Sequence, residues 1–143
     1  IFLDLSKAFD TVNHSILFDK HYGRHTWFAL RNGLRALKQT SICIINGHNS
    51  SCTNISCGVP QGSILGPLFF WLYINDLNNA STILQLILFA DDTNAFLSHK
   101  DADCLVDILN TELNKLSTWL GAYRLSLNIK KTKFIVFKPS QKR

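Results

Sequence analysis

Apolar positions along this chain fall into runs of distinct period. Ile1-Phe2-Leu3, closed by Asp4 and resumed at Leu5, is the pattern of a buried strand with Asp4 at its carboxyl end. Asp10-Thr11 then offers an N-cap for a short helix through about Lys20. From Arg24 to about Lys38, Trp27, Leu30, Leu34 and Leu37 recur at helical spacing, with Arg24, Arg31, Arg35 and Lys38 on an adjacent face. Ser41 to Asn46 and Cys52 to Cys57 predict the two strands of a hairpin around the turn-rich Gly47 to Ser51.

Gly58 to Pro67 is dense in helix breakers and feeds Leu68 to Leu77, which is apolar nearly all round and predicts a buried helix with Pro67 in its first turn. Leu84 to Ala90 reads as a strand, Asp91-Asp92 as a tight turn, and Thr93 to Leu97 as the returning strand. Asp101 or Asp103 caps a long helix that carries Leu105, Leu109, Leu113, Leu116 and Leu120 on one face. Leu125 to Asn128 leads through Lys130 to Lys133 into a further strand, Phe134 to Phe137, and a basic tail from Lys138 to Arg143 that frays. Setting aside the first helices and the hairpin, the order is strand, buried helix, strand-turn-strand, helix, strand. That order predicts an α+β domain: a ferredoxin-like split βαβ antiparallel sheet with helices packed on one face.

Composition narrows this picture. The chain has 143 residues and is 46% hydrophobic, enough for a single domain over residues 1–143 that buries roughly two-thirds of its unfolded surface. Its opening inside an apolar run at Ile1 is the mark of a cut through a strand, as in a piece of a longer protein. The longest apolar stretches fall short of the ~18 residues a membrane span needs, and no signal peptide precedes them, so a soluble, intracellular protein is expected. Cys43, Cys52, Cys57 and Cys104 form no CxxC pair, and His48 with Cys52 and Cys57 lacks the second half of a zinc set, so buried reduced thiols are expected. The net charge of +5 and pI near 9.2 favour a polyanionic partner.

The chemistry concentrates at the acids. Asp91 and Asp92 at a hairpin tip repel each other unless a cation lies between them, and in the predicted topology Asp4 joins them. Three carboxylates without nearby Cys or His form a hard oxygen site suited to Mg²⁺, and two such ions about 4 Å apart clamp the attacking and leaving oxygens of a phosphoryl transfer. The plainer reading of Asp91-Asp92-Thr93-Asn94 is a polar turn. For Gly58 to Pro67, an ordinary loop competes with a segment whose small residues admit a substrate to the backbone.

Taken together these residues resemble the reverse transcriptases, in particular those encoded by non-LTR retrotransposons. Phe2-Leu3-Asp4-Leu5-Ser6-Lys7-Ala8-Phe9-Asp10 is similar to the first palm motif and Gly58-Val59-Pro60-Gln61-Gly62-Ser63-Ile64-Leu65-Gly66-Pro67 to the second. Phe89-Ala90-Asp91-Asp92 is similar to the third, and Leu125-Ser126-Leu127-Asn128 with Lys131-Thr132 to the fourth. The resemblance implies a polymerase palm, with fingers and thumb mostly missing and the thumb connection starting at 138–143. It implies that Asp4, Asp91 and Asp92 bind two Mg²⁺ ions, replaceable by Mn²⁺, and that Lys131 approaches the triphosphate or protonates pyrophosphate. It gives Phe9 the part of excluding a 2′-hydroxyl, and Gln61, Gly62 and Ala90 contacts to the incoming nucleotide. The implied partners are an RNA template, a DNA primer and deoxynucleoside triphosphates, in the nucleus. Arg24, Arg31, Arg35 and Lys38 are candidates to track template phosphates, or a solvated helix face. Asp10 belongs to the pattern, but helix capping explains it.

Two other classes stand beside RNA-templated DNA synthesis. One is a catalytically silent remnant that at most binds nucleic acid through its positive surface. The other is a metal-dependent phosphohydrolase, which leaves Phe9 and the Pro60-Gln61-Gly62 loop without a purpose.

Overall fold

The structure, a computed structural model, describes residues 1–20, 40–60 and 62–138. The expected basic helix of Arg24 to Lys38, Gln61 and the end of the tail lie outside the described residues.

Three strands form the central sheet: β1 (Phe2–Asp4), β6 (Gln85–Phe89) and β7 (Asp92–Phe96), all antiparallel, in the order β1-β7-β6. Side chains alternate across this sheet as the two-residue period requires. Leu3, Thr93 and Ala95 are buried on the inner face, while Phe2, Phe89, Asp92 and Phe96 are exposed on the outer one. The inner face packs with α1 (His14–Asp19), α2 (Leu65–Ile74) and α3 (Ala102–Ala122) around one core that includes Leu3, Leu5, Val12, Phe69, Phe70, Tyr73, Leu116 and Leu120. Among the described residues the fold is thus a mixed α and β arrangement of small antiparallel sheets and three α-helices.

The helices begin where their caps dictate. Asp101 caps α3, its side chain accepting from the backbone N–H groups of Asp103 and Cys104, each at 2.9 Å. For α1 the cap is Asn13, which accepts from the Ile16 N–H at 3.1 Å, and not Asp10, which closes a separate short 3₁₀ turn over Ala8–Asp10. The buried helix starts at Leu65, and burial is not complete: Leu68 and Trp71, one turn apart, face outward.

Polar side chains tie the helices to one another and to the sheet. Lys20, at the end of α1, bonds the Tyr73 carbonyl and the Asp76 carboxylate and stands 4.4 Å from the centre of the Tyr123 ring. The Tyr123 hydroxyl donates to Asp76 at 2.8 Å, so one acid ties the ends of α1, α2 and α3. Glu112 lies buried inside the leucine face of α3. Ser81 donates to it at 2.6 Å, Lys115 does so at 2.6 Å, and Ser81 in turn accepts from the Leu84 N–H at the entry to β6.

Residues 40–54 fold as two short ladders, β2 (Thr40–Ser41) with β5 (Thr53–Asn54) and β3 (Ile44–Ile45) with β4 (His48–Asn49), all exposed. The turn is Asn46-Gly47 and not the longer Gly47 to Ser51, so His48 and Asn49 pair in β4; both turn residues adopt positive φ (50° and 79°), as the tightest hairpin connection requires. The four cysteines are free, as expected, but exposed and not buried, since three of them sit on or beside these unpacked ladders. Phe134 to Phe137, expected as a strand, forms none. After Lys133 pairs with Phe2, the chain leaves the sheet with these four side chains exposed. Among the described residues no helix is long and apolar enough to cross a membrane.

Candidate active site

The sheet register decides where the acids stand. Asp4 is directly opposite Asp92, and Asp92 is directly opposite Phe89, the last residue of β6. Facing residues in an antiparallel pair have Cβ atoms about 5 Å apart on the same face, so Asp4 and Asp92 share the outer face of the sheet. Ala90 and Asp91 form the two-residue connection between Phe89 and Asp92. Ala90 takes a left-handed backbone, φ 53°, that costs an alanine about 1–2 kcal/mol. Beneath Asp92, the Thr93 hydroxyl is buried with no hydrogen-bond partner among the described residues.

A segment from the far end of the chain completes the site. Residues 126–133 run along the open edge of β1: Ser6 N–H donates to the Ser126 carbonyl at 2.8 Å and Asn128 N–H to the Asp4 carbonyl at 2.8 Å. Phe2 and Lys133 exchange bonds of 2.8 and 3.0 Å. Between these anchors Lys131 and Thr132 fold back as a turn onto the Asn128 carbonyl, at 3.0 and 2.9 Å. Lys131 is thereby carried to the side of Asp4.

Two adjoining cavities result. One, of about 370 Å³, is lined by Asp4, Lys7, Phe9, Asp91, Asn128 and Lys131 among others. The second, of about 400 Å³, is lined by Asp4, Asp92, Phe2, Lys130, Lys131 and Lys133 with Leu3. Asp4 and Lys131 belong to both. Phe9 forms its wall half-buried, its ring centroid 4.8 Å from that of the buried Phe70. Of the residues singled out from the sequence, Asp4, Asp91, Asp92, Phe9 and Lys131 come together here. Gly62 and Ala90 line neither cavity, and Gln61 with Arg24, Arg31, Arg35 and Lys38 lies outside the described residues. Ser6, Lys7 and Asn128 also line the first cavity without having been singled out. They sit inside the quoted motifs, and Lys7, with φ 49°, turns the chain from β1 toward Phe9.

The glycine-rich segment divides its labour. A Cβ on Gly66 would meet the Pro60 carbonyl oxygen at 2.9 Å, and one on Gly58 the Asp10 carbonyl oxygen at 3.1 Å, so these two glycines serve close packing of protein on protein. Gly62, at φ 81°, faces open space, and of the three it alone leaves room for something else to approach.

The donor set is one of carboxylate oxygens suited to hard divalent cations. Among the described residues, however, no three acid, histidine or cysteine side chains converge closely enough to hold an ion as they stand. The residue types fit a divalent cation.

The family described as "Reverse transcriptase (RNA-dependent DNA polymerase)" matches residues 1–142, and the chain belongs to that family. It is 25% identical over 146 residues to "RNA-directed DNA polymerase from mobile element jockey" of Drosophila melanogaster, covering 95% of this chain and 16% of that protein. It is 30% identical over 149 residues to "Probable RNA-directed DNA polymerase from transposon X-element" of the same fly, covering 96% and 16%. A jockey polymerase of Drosophila funebris is 28% identical over 145 residues, covering 95% and 16%. The chain thus spans about a sixth of the length of these relatives.

Proposed function

We propose that this chain is the catalytic palm of an RNA-templated DNA polymerase of the non-LTR retrotransposon kind, a ferredoxin-like unit that performs nucleotidyl transfer. The observation that carries the reading is the facing pair Asp4 and Asp92 with Asp91 in the adjoining turn. Like charges placed directly opposite weaken a sheet, so the arrangement has a chemical purpose and not a structural one.

Asp4, Asp91 and Asp92 would hold two Mg²⁺ ions, for which Mn²⁺ would substitute. When bound, the ions supply the charge neutralisation that a primer 3′-oxygen and a departing pyrophosphate need. The chain's own residues do the positioning on which phosphoryl transfer chiefly depends. Phe9, backed by Phe70, fills the space a 2′-hydroxyl would take and so selects deoxynucleotides. Lys131 faces the triphosphate from the turn anchored on β1 and is placed to protonate pyrophosphate. Gln61, Gly62 and Ala90 approach the incoming nucleotide, with the open space at Gly62 as support for its part. The partners are an RNA template, a DNA primer and deoxynucleoside triphosphates, with Arg24, Arg31, Arg35 and Lys38 along template phosphates.

Primer extension on an RNA template by the full-length protein that carries this chain tests the reading. Asp91→Ala lowers extension about a thousandfold or more, the scale of removing a main charge-stabilising group. Equal activity of the native protein and the variant overturns it. The net charge of +5 favours one competitor, a silent remnant that binds nucleic acid through positive charge alone. Such a protein binds RNA and DNA equally well with or without Asp92.

A further inference from the structure

The loop after β1 and the glycine-rich segment are sewn together by bonds that no step of the transfer reaction uses. Val59 N–H donates to the Phe9 carbonyl at 2.9 Å, Gly58 N–H to the Val12 carbonyl at 2.8 Å, and His14 N–H to the Ser56 carbonyl at 3.2 Å. Asn13 pairs with Cys57 in the same antiparallel sense. At Gly58, held at φ 87°, even a methyl group would press on the Asp10 carbonyl, so the two backbones approach about as closely as they can.

One side chain locks this clasp. His14 is buried, 7% exposed, at the first turn of α1, and its Nε2 lies 2.6 Å from the Gly58 carbonyl oxygen. A carbonyl only accepts, so Nε2 carries the proton and donates. Burying an imidazole costs desolvation that an apolar residue of similar size avoids, and its return is one fixed arrangement of the two loops.

We infer that His14 is a positioning residue for sugar selection. By holding the Gly58 carbonyl it fixes the neighbouring Val59, whose N–H ties the Phe9 carbonyl, and so fixes where Phe9 stands. The inference rests on the polymerase reading above. Phe9 discriminates by filling space, so its effect depends on its own backbone staying in place, and a displacement of about 1 Å is enough to change a rate by orders of magnitude.

The test is the ratio of kcat/KM for a deoxynucleotide to that for the matching ribonucleotide, measured by primer extension with the full-length protein. His14→Ala lowers the ratio about tenfold. His14→Gln, whose Nε2 reaches the same carbonyl, keeps the native ratio. Should His14→Ala not fold, His14→Asn replaces it, since its amide is too short for the Gly58 carbonyl, and the same tenfold drop is expected. An active native protein whose Ala or Asn variant discriminates as the native does, losing only melting temperature or overall rate, overturns the inference alone. A native protein that extends no primer overturns the polymerase reading and the inference with it.

Discussion

Two hairpins of this chain, β3–β4 and β6–β7, share a two-residue connection and little else. The first closes on Asn46-Gly47, residues that take positive φ with little or no strain, and every side chain around it is exposed. The second closes on Ala90-Asp91, which puts a Cβ into a left-handed conformation and two acids side by side. The turn that obeys the local rules carries no chemistry. The turn that breaks them stands beside the acids, and burial of Leu3, Thr93 and Ala95 on the inner face lets the sheet impose it. A packed scaffold offsets local strain at a site, whereas an exposed ladder must be locally favourable to form at all.

The largest effects should separate the two by burial. Leu3→Ala, on the inner face of the central sheet, costs about 2–5 kcal/mol in thermal or denaturant unfolding, while Ile45→Ala in the exposed ladder changes it by no more than about 0.5 kcal/mol. Comparable losses from both would mean that the ladder is packed.

A smaller and opposite pair concerns the turns. Gly47→Ala forces a Cβ into the positive-φ turn and weakens the β3–β4 ladder by about 1 kcal/mol, read as faster amide exchange there and nowhere else. Ala90→Gly relieves the strained turn and raises stability by up to about 1 kcal/mol, the gain being reduced by the added freedom of glycine when unfolded. A loss of stability in Ala90→Gly would remove the argument that this turn is strained.

A pH-dependent effect lies away from both hairpins and serves as their control. Burial, aided by the bond to Asp76, pushes the Tyr123 hydroxyl up from 10.0 to about 12. Its folded value lies above its unfolded one, so its contribution is fully present below pH 10 and is lost as pH rises through 12. Tyr123→Phe therefore melts below the native chain at neutral pH, and the gap closes between pH 10 and 12. A gap independent of pH in that range would contradict the raised titration of the Tyr123 hydroxyl.

The same contrast explains what could be read in the sequence. The long helix after Asp101 was legible because period and cap agree, and the strand-turn-strand because two alternating runs flank a short break. The turn itself falls at Ala90-Asp91, one residue before the expected Asp91-Asp92, because Asp92 pairs with Phe89 and Ala90 takes the positive φ that no local rule assigns to an alanine. Locating Asp4 opposite Asp92 required a long-range register that no local pattern encodes. The cap at Asn13 was hidden by the equally plausible Asp10, which ends a 3₁₀ turn instead. Phe134 to Phe137 has strand composition, yet a strand exists only where a partner pairs with it, and Phe2 is the last to do so, at Lys133. Glu112, a buried acid satisfied by Ser81 and Lys115, was not singled out, because helical period alone does not bring Ser81 to it. The cysteines were read as buried because that is their average habit, and an exposed ladder is where the average fails.

The central claim, that Asp4, Asp91 and Asp92 form one metal-binding centre, is tested most directly by Mn²⁺ titration of the full-length protein in the presence of primer, template and a deoxynucleoside triphosphate. Binding of two ions by the native protein, weakened at least about tenfold by Asp4→Asn and by Asp92→Asn, is the predicted result. Binding that is the same with and without these carboxylates would contradict it.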